Sequence, residues 1–215
     1  GKSTTQKILT GILKGHGGKV SLFGQDISAA QRQEFFQKIG VLFEFPYLYA
    51  NLSAVDNLKY FSSFYPKEQI RSIEEVLEEL EFKPDFFKKP VSSYSKGMRQ
   101  RASMARALIS NPRLLFLDEP TIGLDPIGVM ELRELVLKLN HERGITILFS
   151  SHNLAEMAQI ATRYGFLHKG KLLETVSAEE VGSICRSRGI NLETYFVELL
   201  LKERELEKNG ETVSK

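Results

Sequence analysis

The chain has 215 residues, of which 42% are hydrophobic and 26% are charged, so it is long enough for one α/β domain with a sizeable core, or for a core with a small inserted subdomain. Its formal net charge is only +2 and its basic residues are scattered, which argues against a nucleic-acid-binding surface. Its single cysteine, Cys185, excludes an intrachain disulfide, and no apolar run approaches the roughly 18 residues of a membrane-spanning helix.

The first half of the chain predicts a helix, a short strand and then a helical block. Apolar residues recur at helical spacing over 8–13, and the glycines within 15–18 end that pattern before a strand predicted at 19–23. A later helix is predicted over 97–109, because the Asn-Pro pair that follows it disfavours helical backbone.

The second half of the chain predicts a βαβ unit. Residues 114–117 and 145–149 indicate two strands buried on both faces, with a helix between them at about 129–143. Two short strands around 169–170 predict a hairpin, and helices with a charged end are predicted after residue 177. This alternation of strands and helices favours a parallel sheet covered by helices.

The opening residues match the end of a phosphate-binding loop. Gly1-Lys2-Ser3-Thr4 corresponds to the last part of the P-loop pattern G-x-x-x-x-G-K-[ST], so we expect the rest of that loop to precede Gly1 in the complete protein. In a complete loop, backbone N–H groups surround the phosphates, the lysine reaches the outer phosphates and the hydroxyl binds magnesium. Such a tetrapeptide also arises by chance, which is the alternative interpretation.

Two carboxylates end the first predicted buried strand. Asp118 and Glu119 directly follow the apolar run 114–117. Because successive side chains of a strand point in opposite directions, one carboxylate can hold magnesium while the other polarises water at the carboxyl edge of the sheet. The alternative interpretation is that the two charges simply terminate the strand.

Together with three further motifs, these residues resemble the ATP-binding subunits of ABC transporters, and the resemblance extends from residue 1 to about 176. The motifs are Tyr94-Ser95-Lys96-Gly97-Met98, similar to the signature loop, Gly123-Leu124-Asp125-Pro126, similar to the D-loop, and His152 after the second strand, similar to the switch histidine. The resemblance implies a P-loop NTPase core of the α/β class, with a parallel sheet and an inserted helical subdomain.

Within one subunit, the resemblance implies hydrolysis of ATP to ADP and phosphate with Mg²⁺ as cofactor. Glu119 would act as the general base and His152 would stabilise the transition state. Ser3 and Asp118 would hold the magnesium ion. The residues implied to bind the phosphates at the P-loop are Gly1, Lys2, Ser3 and Thr4.

Other residues are implied to act on a second nucleotide-binding subunit. In the family two subunits enclose two nucleotides, so Ser95 and Gly97 would contact the γ-phosphate held by the partner, and Asp125 would communicate across the dimer. The dimer would be a homodimer or a heterodimer. A plain helix cap is the alternative interpretation of Ser95.

Several residues depart from the family pattern. Tyr94, Lys96 and Met98 replace the usual leucine, glycine and glutamine of the signature loop, and methionine cannot donate the hydrogen bonds of glutamine. Glu44 stands where the family usually has the glutamine of the Q-loop, and this E-loop resembles lantibiotic-immunity and peptide-antibiotic exporters. The form of residues 121–125 also resembles efflux-type subunits. Glu44 would contribute to nucleotide and magnesium binding and couple the site to a membrane partner, with an incidental substitution as the alternative.

The resemblance predicts a division of the chain. We expect an ABC ATPase domain over 1–176, with its core in 1–45 and 111–176 and its helical subdomain in 46–110. The remaining 177–215 would form a C-terminal helical tail.

The predicted function is therefore that of the ATP-hydrolysing subunit of an exporter, with an antimicrobial peptide or another amphiphilic compound as cargo. A membrane-spanning permease and a second nucleotide-binding subunit would be its partners, and it would lie peripherally at the cytoplasmic face of the cell membrane. One alternative is a non-transport ABC ATPase that acts on DNA or ribosomes. Against it, the chain carries one set of motifs and has no room for a long coiled coil between Lys2 and Asp118. The other alternative is an inactive fragment.

Overall fold

The computed structural model describes residues 1–27, 35–43 and 47–208. The chain forms two compact units, a larger one from Ser3 to Ser150 and a smaller one that joins Gly1–Lys2 to the chain from Ser151 onward. A cluster of buried hydrophobic side chains lies in each unit. Among the described residues, no helix is both long enough and apolar enough to cross a membrane.

A parallel sheet lies in the larger unit, after a short hairpin of β1 (Ser21–Leu22) and β2 (Gln25–Asp26). Its strands are β3 (Ile39–Leu42), β4 (Leu114–Asp118) and β5 (Thr146–Ser150), in the spatial order β3–β4–β5. The central strand β4 is buried along its whole length, which confirms the prediction for this apolar run. Parallel pairing brings the carboxyl ends of all three strands to one edge.

The prediction that the second strand is buried on both faces is wrong. Thr146 is exposed, and Leu148 is 40% exposed. The reason is the position of β5 at the edge of the three-stranded sheet in the described part of the chain, where only β4 pairs with it. The strand itself forms where the sequence predicted it.

The helices that lead into or lie within the larger unit are α1 (Lys2–Leu9), α2 (Ala54–Ser62), α3 (Ile73–Glu79), α4 (Lys96–Leu108) and α5 (Pro126–Arg143). The prediction of a helix over 97–109 is confirmed by α4. Helix α5 begins earlier than predicted, because proline is favoured at the first helical position. Helix α4 lies so close to β3 that a side chain on Gly40 would approach the carbonyl oxygen of Ala107 to 2.3 Å.

Helix α1 is shorter than the apolar pattern over 8–13 predicted. It ends at Leu9, because Gly11 adopts left-handed backbone with φ +67° and turns the chain away from the helix axis. The ring of Phe36 occupies the space beside Gly11, where a Cβ atom would lie 2.5 Å from the ring. The turn at Gly11 therefore needs a glycine both for its backbone and for this contact.

The smaller unit contains the predicted hairpin and the predicted C-terminal helices. Its elements are α6 (Leu154–Ile160), β6 (Arg163–His168), β7 (Lys171–Ser177), α7 (Ala178–Arg188) and α8 (Leu192–Lys208). Strands β6 and β7 pair antiparallel. The buried residues of its core are Tyr164, Phe166, Val176, Val181 and Tyr195.

Candidate active site

Asp118 ends β4 at the carboxyl edge of the sheet, where its side chain is buried with only 2% exposure. The parallel register places it opposite Ser150, the last residue of β5. Ser150 Oγ donates a hydrogen bond of 2.5 Å to Asp118 Oδ1. A hydrogen bond to a charged acceptor is stronger than one between neutral groups, so the neighbouring strand fixes the orientation of this carboxylate.

Glu119 leaves the strand with an unusual backbone conformation. Its φ is +51°, in the left-handed region that costs a residue with a side chain about 1–2 kcal/mol. Its N–H donates to Ser150 O over 3.0 Å, and its carbonyl accepts from Ile122 N over 3.2 Å. These two bonds hold the turn, so the strain is maintained by the surrounding structure.

Helix α1, which contains Lys2, Ser3 and Thr4 of the P-loop motif, is hydrogen-bonded to β4. Gln6 is 2% exposed, and its Nε2 donates to Leu117 O over 3.3 Å at the carboxyl end of that strand. Ser3 precedes Gln6 by three residues and lies on the same face of α1, which is the face turned toward β4. Thr4, the next residue, is exposed. Ser3 therefore shares a helix face with Gln6, which bonds to the strand that ends at Asp118.

Three predicted site residues belong to the smaller unit. Gly1 is exposed, and Lys2 Nζ donates a hydrogen bond of 3.1 Å to Ser151 O. Ser151 immediately precedes His152, which is exposed and lies between β5 and α6. Lys2 of the P-loop motif is therefore hydrogen-bonded to Ser151, the residue directly before the predicted switch histidine.

The signature loop ends at the first turn of α4. Ser95 is the N-cap of this helix, and its Oγ accepts a hydrogen bond of 3.2 Å from Met98 N. The helix-cap interpretation of Ser95 is therefore correct as far as its contacts within the chain are concerned. Ser95 is exposed and Gly97 is half-buried. Both lie at a helix N-terminus, where the partial positive charge favours an anion.

Tyr94 anchors the signature loop through a buried side chain. It is 3% exposed, its hydroxyl accepts from Ala54 N over 3.1 Å, and the same hydroxyl donates to Phe86 O over 2.7 Å. Burial raises the pKa of this phenol, so the hydroxyl stays protonated as a donor. The tyrosine that replaces the family's usual leucine therefore fills the core and also ties the loop to the start of α2.

The D-loop lies against the signature loop. Asp125 is exposed and caps α5, with Oδ1 accepting from Gly128 N over 2.8 Å. Gly123 has left-handed backbone with φ +71°, and the side chain of Lys96 crosses it. A Cβ atom on Gly123 would lie only 1.8 Å from Lys96 Nζ. The structure therefore joins two motifs that are separated in the sequence.

Glu44 lies outside the described residues, so its predicted role stays a prediction. The sequence reasoning also missed two residues of the site, Ser150 and Gln6. Ser150 ends β5 as Asp118 ends β4, so the register of two predicted parallel strands could have indicated this pair. Gln6 carried no signal beyond its position on a predicted helix.

The family model described as ABC transporter matches residues 1–122, which is more than half of the chain. The chain belongs to the ABC transporter family. Among its relatives, the bacitracin transport ATP-binding protein BcrA of Bacillus licheniformis is 43% identical, with 82% of this chain and 57% of that protein covered. The lantibiotic transport ATP-binding protein SrtF of Streptococcus pyogenes is 41% identical, with 80% of this chain and 72% of that protein covered.

A solved ABC cassette has the same fold. The ATP-binding cassette MJ0796, in a dimeric post-hydrolysis state bound to ADP and Pi, matches with a TM-score of 0.72 and 26% identity, over 82% of this chain and 80% of that one. The predicted P-loop NTPase fold of the α/β class is confirmed. The chain spans 57% of the length of the bacitracin transport protein, which is less than two thirds.

Proposed function

We propose that this chain is the ATP-hydrolysing part of an ABC membrane transporter and that the transporter is an exporter. The observation that carries the proposal is the carboxyl end of β4. There the buried Asp118 is oriented by Ser150 and is followed by Glu119 in left-handed backbone. Two adjacent carboxylates in different environments suit a division between metal binding and proton transfer.

The residues present fit a magnesium ion. Ser3 and Asp118 offer a hydroxyl and a carboxylate oxygen, which are ligands that Mg²⁺ prefers. Within the described ranges, no group of three or more His, Cys, Asp or Glu side chains is placed to hold a metal. Mg²⁺ commonly takes only one or two protein oxygens and completes its shell with phosphate and water, so two ligands suffice. When bound, the ion would neutralise charge on the phosphates.

The other P-loop and catalytic residues divide the remaining work. Gly1 directly precedes α1 and Thr4 lies in its first turn, where backbone N–H groups would bind a phosphate, and Lys2 would neutralise the outer phosphates. Glu119 would take the proton from the attacking water. His152 would donate a hydrogen bond to the γ-phosphate as charge develops on it. The products would be ADP and phosphate.

A second nucleotide-binding subunit would complete the site. Ser95 and Asp125 cap the N-termini of α4 and α5 and are both exposed, as residues that contact a partner must be before assembly. The similar cassette MJ0796 is described as dimeric. We propose that Ser95 and Gly97 bind the γ-phosphate held by the partner and that Asp125 lies at the dimer interface.

A membrane-spanning permease would dock on an aromatic groove of the larger unit. This cavity of about 380 Å³ is lined in part by Phe43, Tyr47, Phe61, Tyr65 and Arg106. Tyr47 is 59% exposed, and Phe64, the sequence neighbour of Tyr65, is 60% exposed. Exposed aromatic side chains in one patch are typical of interaction sites. This docking would hold the subunit peripherally at the cytoplasmic face of the membrane.

The groove also reaches β3, the strand that precedes Glu44 in the sequence. Arg106 lies with its guanidinium 5.1 Å from the centre of the Phe61 ring and donates to Val41 O on β3 over 3.2 Å. Burial lowers the pKa of this guanidinium. Glu44 follows β3 and precedes the groove residue Tyr47, so we propose that it couples permease movement to nucleotide and magnesium binding.

The cargo class rests on the relatives and on the E-loop. Two relatives are named as transport ATP-binding proteins, one for bacitracin and one for a lantibiotic. Glu44, in place of the usual Q-loop glutamine, points to the same class of peptide-antibiotic exporters. We therefore propose an antimicrobial peptide or another amphiphilic compound as the cargo.

Glu119→Gln tests the proposal in the full-length protein assembled with its permease. The variant should bind ATP with parental affinity but hydrolyse it at least about a hundredfold more slowly, because the general base is lost. Glu134→Gln makes the same chemical change at an exposed carboxylate of α5 and should leave hydrolysis unchanged. A near-parental rate for Glu119→Gln would contradict the assignment of the base.

A further inference from the structure

The first two turns of α4 contact the segment that runs from Glu119 to Asp125. Both elements belong to the larger unit. The three contacts, in helix order, are Lys96 across Gly123, Gly97 beside Leu124 and Gln100 on Pro120. The first two are packing contacts, and the third is a hydrogen bond. The helix that carries the signature loop therefore touches the segment that carries the proposed catalytic base.

The hydrogen bond from Gln100 is directed at one atom of the Glu119 turn. Its Nε2 donates to Pro120 O over 2.8 Å, a normal length for a full N–H···O bond. Pro120 is buried and has no N–H of its own, so this carbonyl is its only backbone polar group. A buried carbonyl is normally paired, and Gln100 provides the partner.

Two tethers from different elements hold the backbone around Glu119. On the β5 side, Glu119 N–H donates to Ser150 O over 3.0 Å. On the α4 side, Gln100 holds the next carbonyl, that of Pro120. Left-handed backbone at a residue with a side chain persists only where its surroundings determine it. Loss of either tether should therefore change where the Glu119 carboxylate lies.

A cavity adjoins the face of α4 that carries Gln100. This cavity of about 210 Å³ lies between α4 and α5. Gly97, Gln100, Arg101 and Met104 line it from one face of α4, at the i, i+3, i+4, i+7 spacing. Arg101 crosses this space to Glu131 of α5, with its Nη2 atom 2.5 Å from Glu131 Oε2, so α4 is joined to α5 here by an ion pair of charged side chains.

We propose that Gln100 is a positioning residue that couples the signature loop to the Glu119 backbone of the same subunit. Ser95 caps α4 and Gln100 lies five residues further along the same helix, so a displacement of the loop by a bound phosphate reaches Pro120 O through rigid helix. The inference rests on the proposed ATPase function. It adds that nucleotide held by the partner adjusts the catalytic base of this chain.

Two variants in the full-length protein assembled with its permease separate the hydrogen bond from the shape of the side chain. Gln100→Met keeps an unbranched side chain of similar length but removes the donor, and Gln100→Lys supplies a donor again. Gln100→Met should lower kcat by about tenfold while the KM for ATP stays within about twofold, because the base is misplaced but the nucleotide contacts remain. Gln100→Lys should keep kcat within about threefold of the parent.

A double variant tests whether Gln100 acts through Glu119. If it does, adding Gln100→Met to Glu119→Gln should not slow the residual hydrolysis further, since the base is already absent. Three results would each overturn the coupling. They are a further tenfold loss of hydrolysis in the double variant, a fall in both kcat and melting temperature in Gln100→Met that Gln100→Lys does not restore, and an unchanged kcat in Gln100→Met. If Glu119→Gln itself stays active, the proposed function fails instead, so the two failures are distinct.

Discussion

The left-handed backbone of Glu119 predicts that glycine is more stable than alanine at this position, which is the reverse of the usual order. At most positions glycine is less stable than alanine by about 0.5–1 kcal/mol, because glycine loses more conformational freedom on folding. At φ +51°, alanine pays a steric cost of about 1–2 kcal/mol that glycine does not. The balance favours Glu119→Gly over Glu119→Ala by about 1 kcal/mol.

Comparing the two variants with each other removes the side-chain contribution. Both lose every contact of the Glu119 carboxylate, so their difference in unfolding free energy reports on the backbone alone. For a chain of this size, about 1 kcal/mol corresponds to a melting temperature about 2–4 °C higher for Glu119→Gly. Both variants should hydrolyse ATP at least about a hundredfold more slowly, because neither has the carboxylate proposed as the general base.

The assay is thermal unfolding of the two variants, with the same pair at Glu134 as the control. Glu134 is an exposed residue within α5, so there alanine should be more stable than glycine by about 1 kcal/mol from helix propensity. The sign of the difference should therefore reverse between the two positions. If alanine is as stable as glycine or more stable at both positions, Glu119 does not adopt left-handed backbone and the argument fails.

Two further predictions concern single hydrogen bonds. Ser150→Ala should cost about 1.5–3 kcal/mol of stability and raise the Mg²⁺ concentration needed for half-maximal hydrolysis, because it removes the donor that orients Asp118. Ser150→Thr retains the hydroxyl and should preserve the stability and the Mg²⁺ requirement. Equal behaviour of the two variants would refute this role of the Ser150 hydroxyl. Burial and the 2.9 Å hydrogen bond to Glu174 raise the pKa of the Tyr195 phenol to about 12, so its contribution to stability is complete below about pH 10 and is lost as the pH rises through 12. The free energy of unfolding, measured from pH 10 to pH 12, should fall in the parent protein, and this fall should be absent in Tyr195→Phe.

The strands and helices were largely predictable because their signals are local. The apolar run of β4 is buried on both faces and bounded by carboxylates, and α4 ends before an Asn-Pro pair. The failures came from tertiary structure. Residues 10–13 have the apolar spacing of a helix, but the contact between Phe36 and Gly11 ends α1 at Leu9. The exposure of β5 depends on its place in the sheet, which spacing does not report.

The candidate site was predictable as a set of motifs but not as a set of contacts. Asp118, Glu119 and Ser95 could be found from their order and spacing along the chain. The partner of Asp118 is Ser150, and this pair follows only when the two predicted strands are placed side by side in register, a step that the motifs alone do not supply. The positive φ of Glu119 is also invisible, since glutamate is not a residue that favours that conformation.

The departure of the signature loop from the family pattern has a structural counterpart in the D-loop. Lysine at the first position of α4 opposes the helix dipole, so it is locally unfavourable there. Its side chain lies over Gly123, in the space that any side chain at that position would need. Lys96 therefore packs over Gly123, and the replacement of the usual glycine adds a packing contact between the two loops. Gln100 joins the same two elements through its hydrogen bond to Pro120 O. Lys96 therefore adds a second contact between the signature loop and the D-loop segment, which a glycine at position 96 would not make.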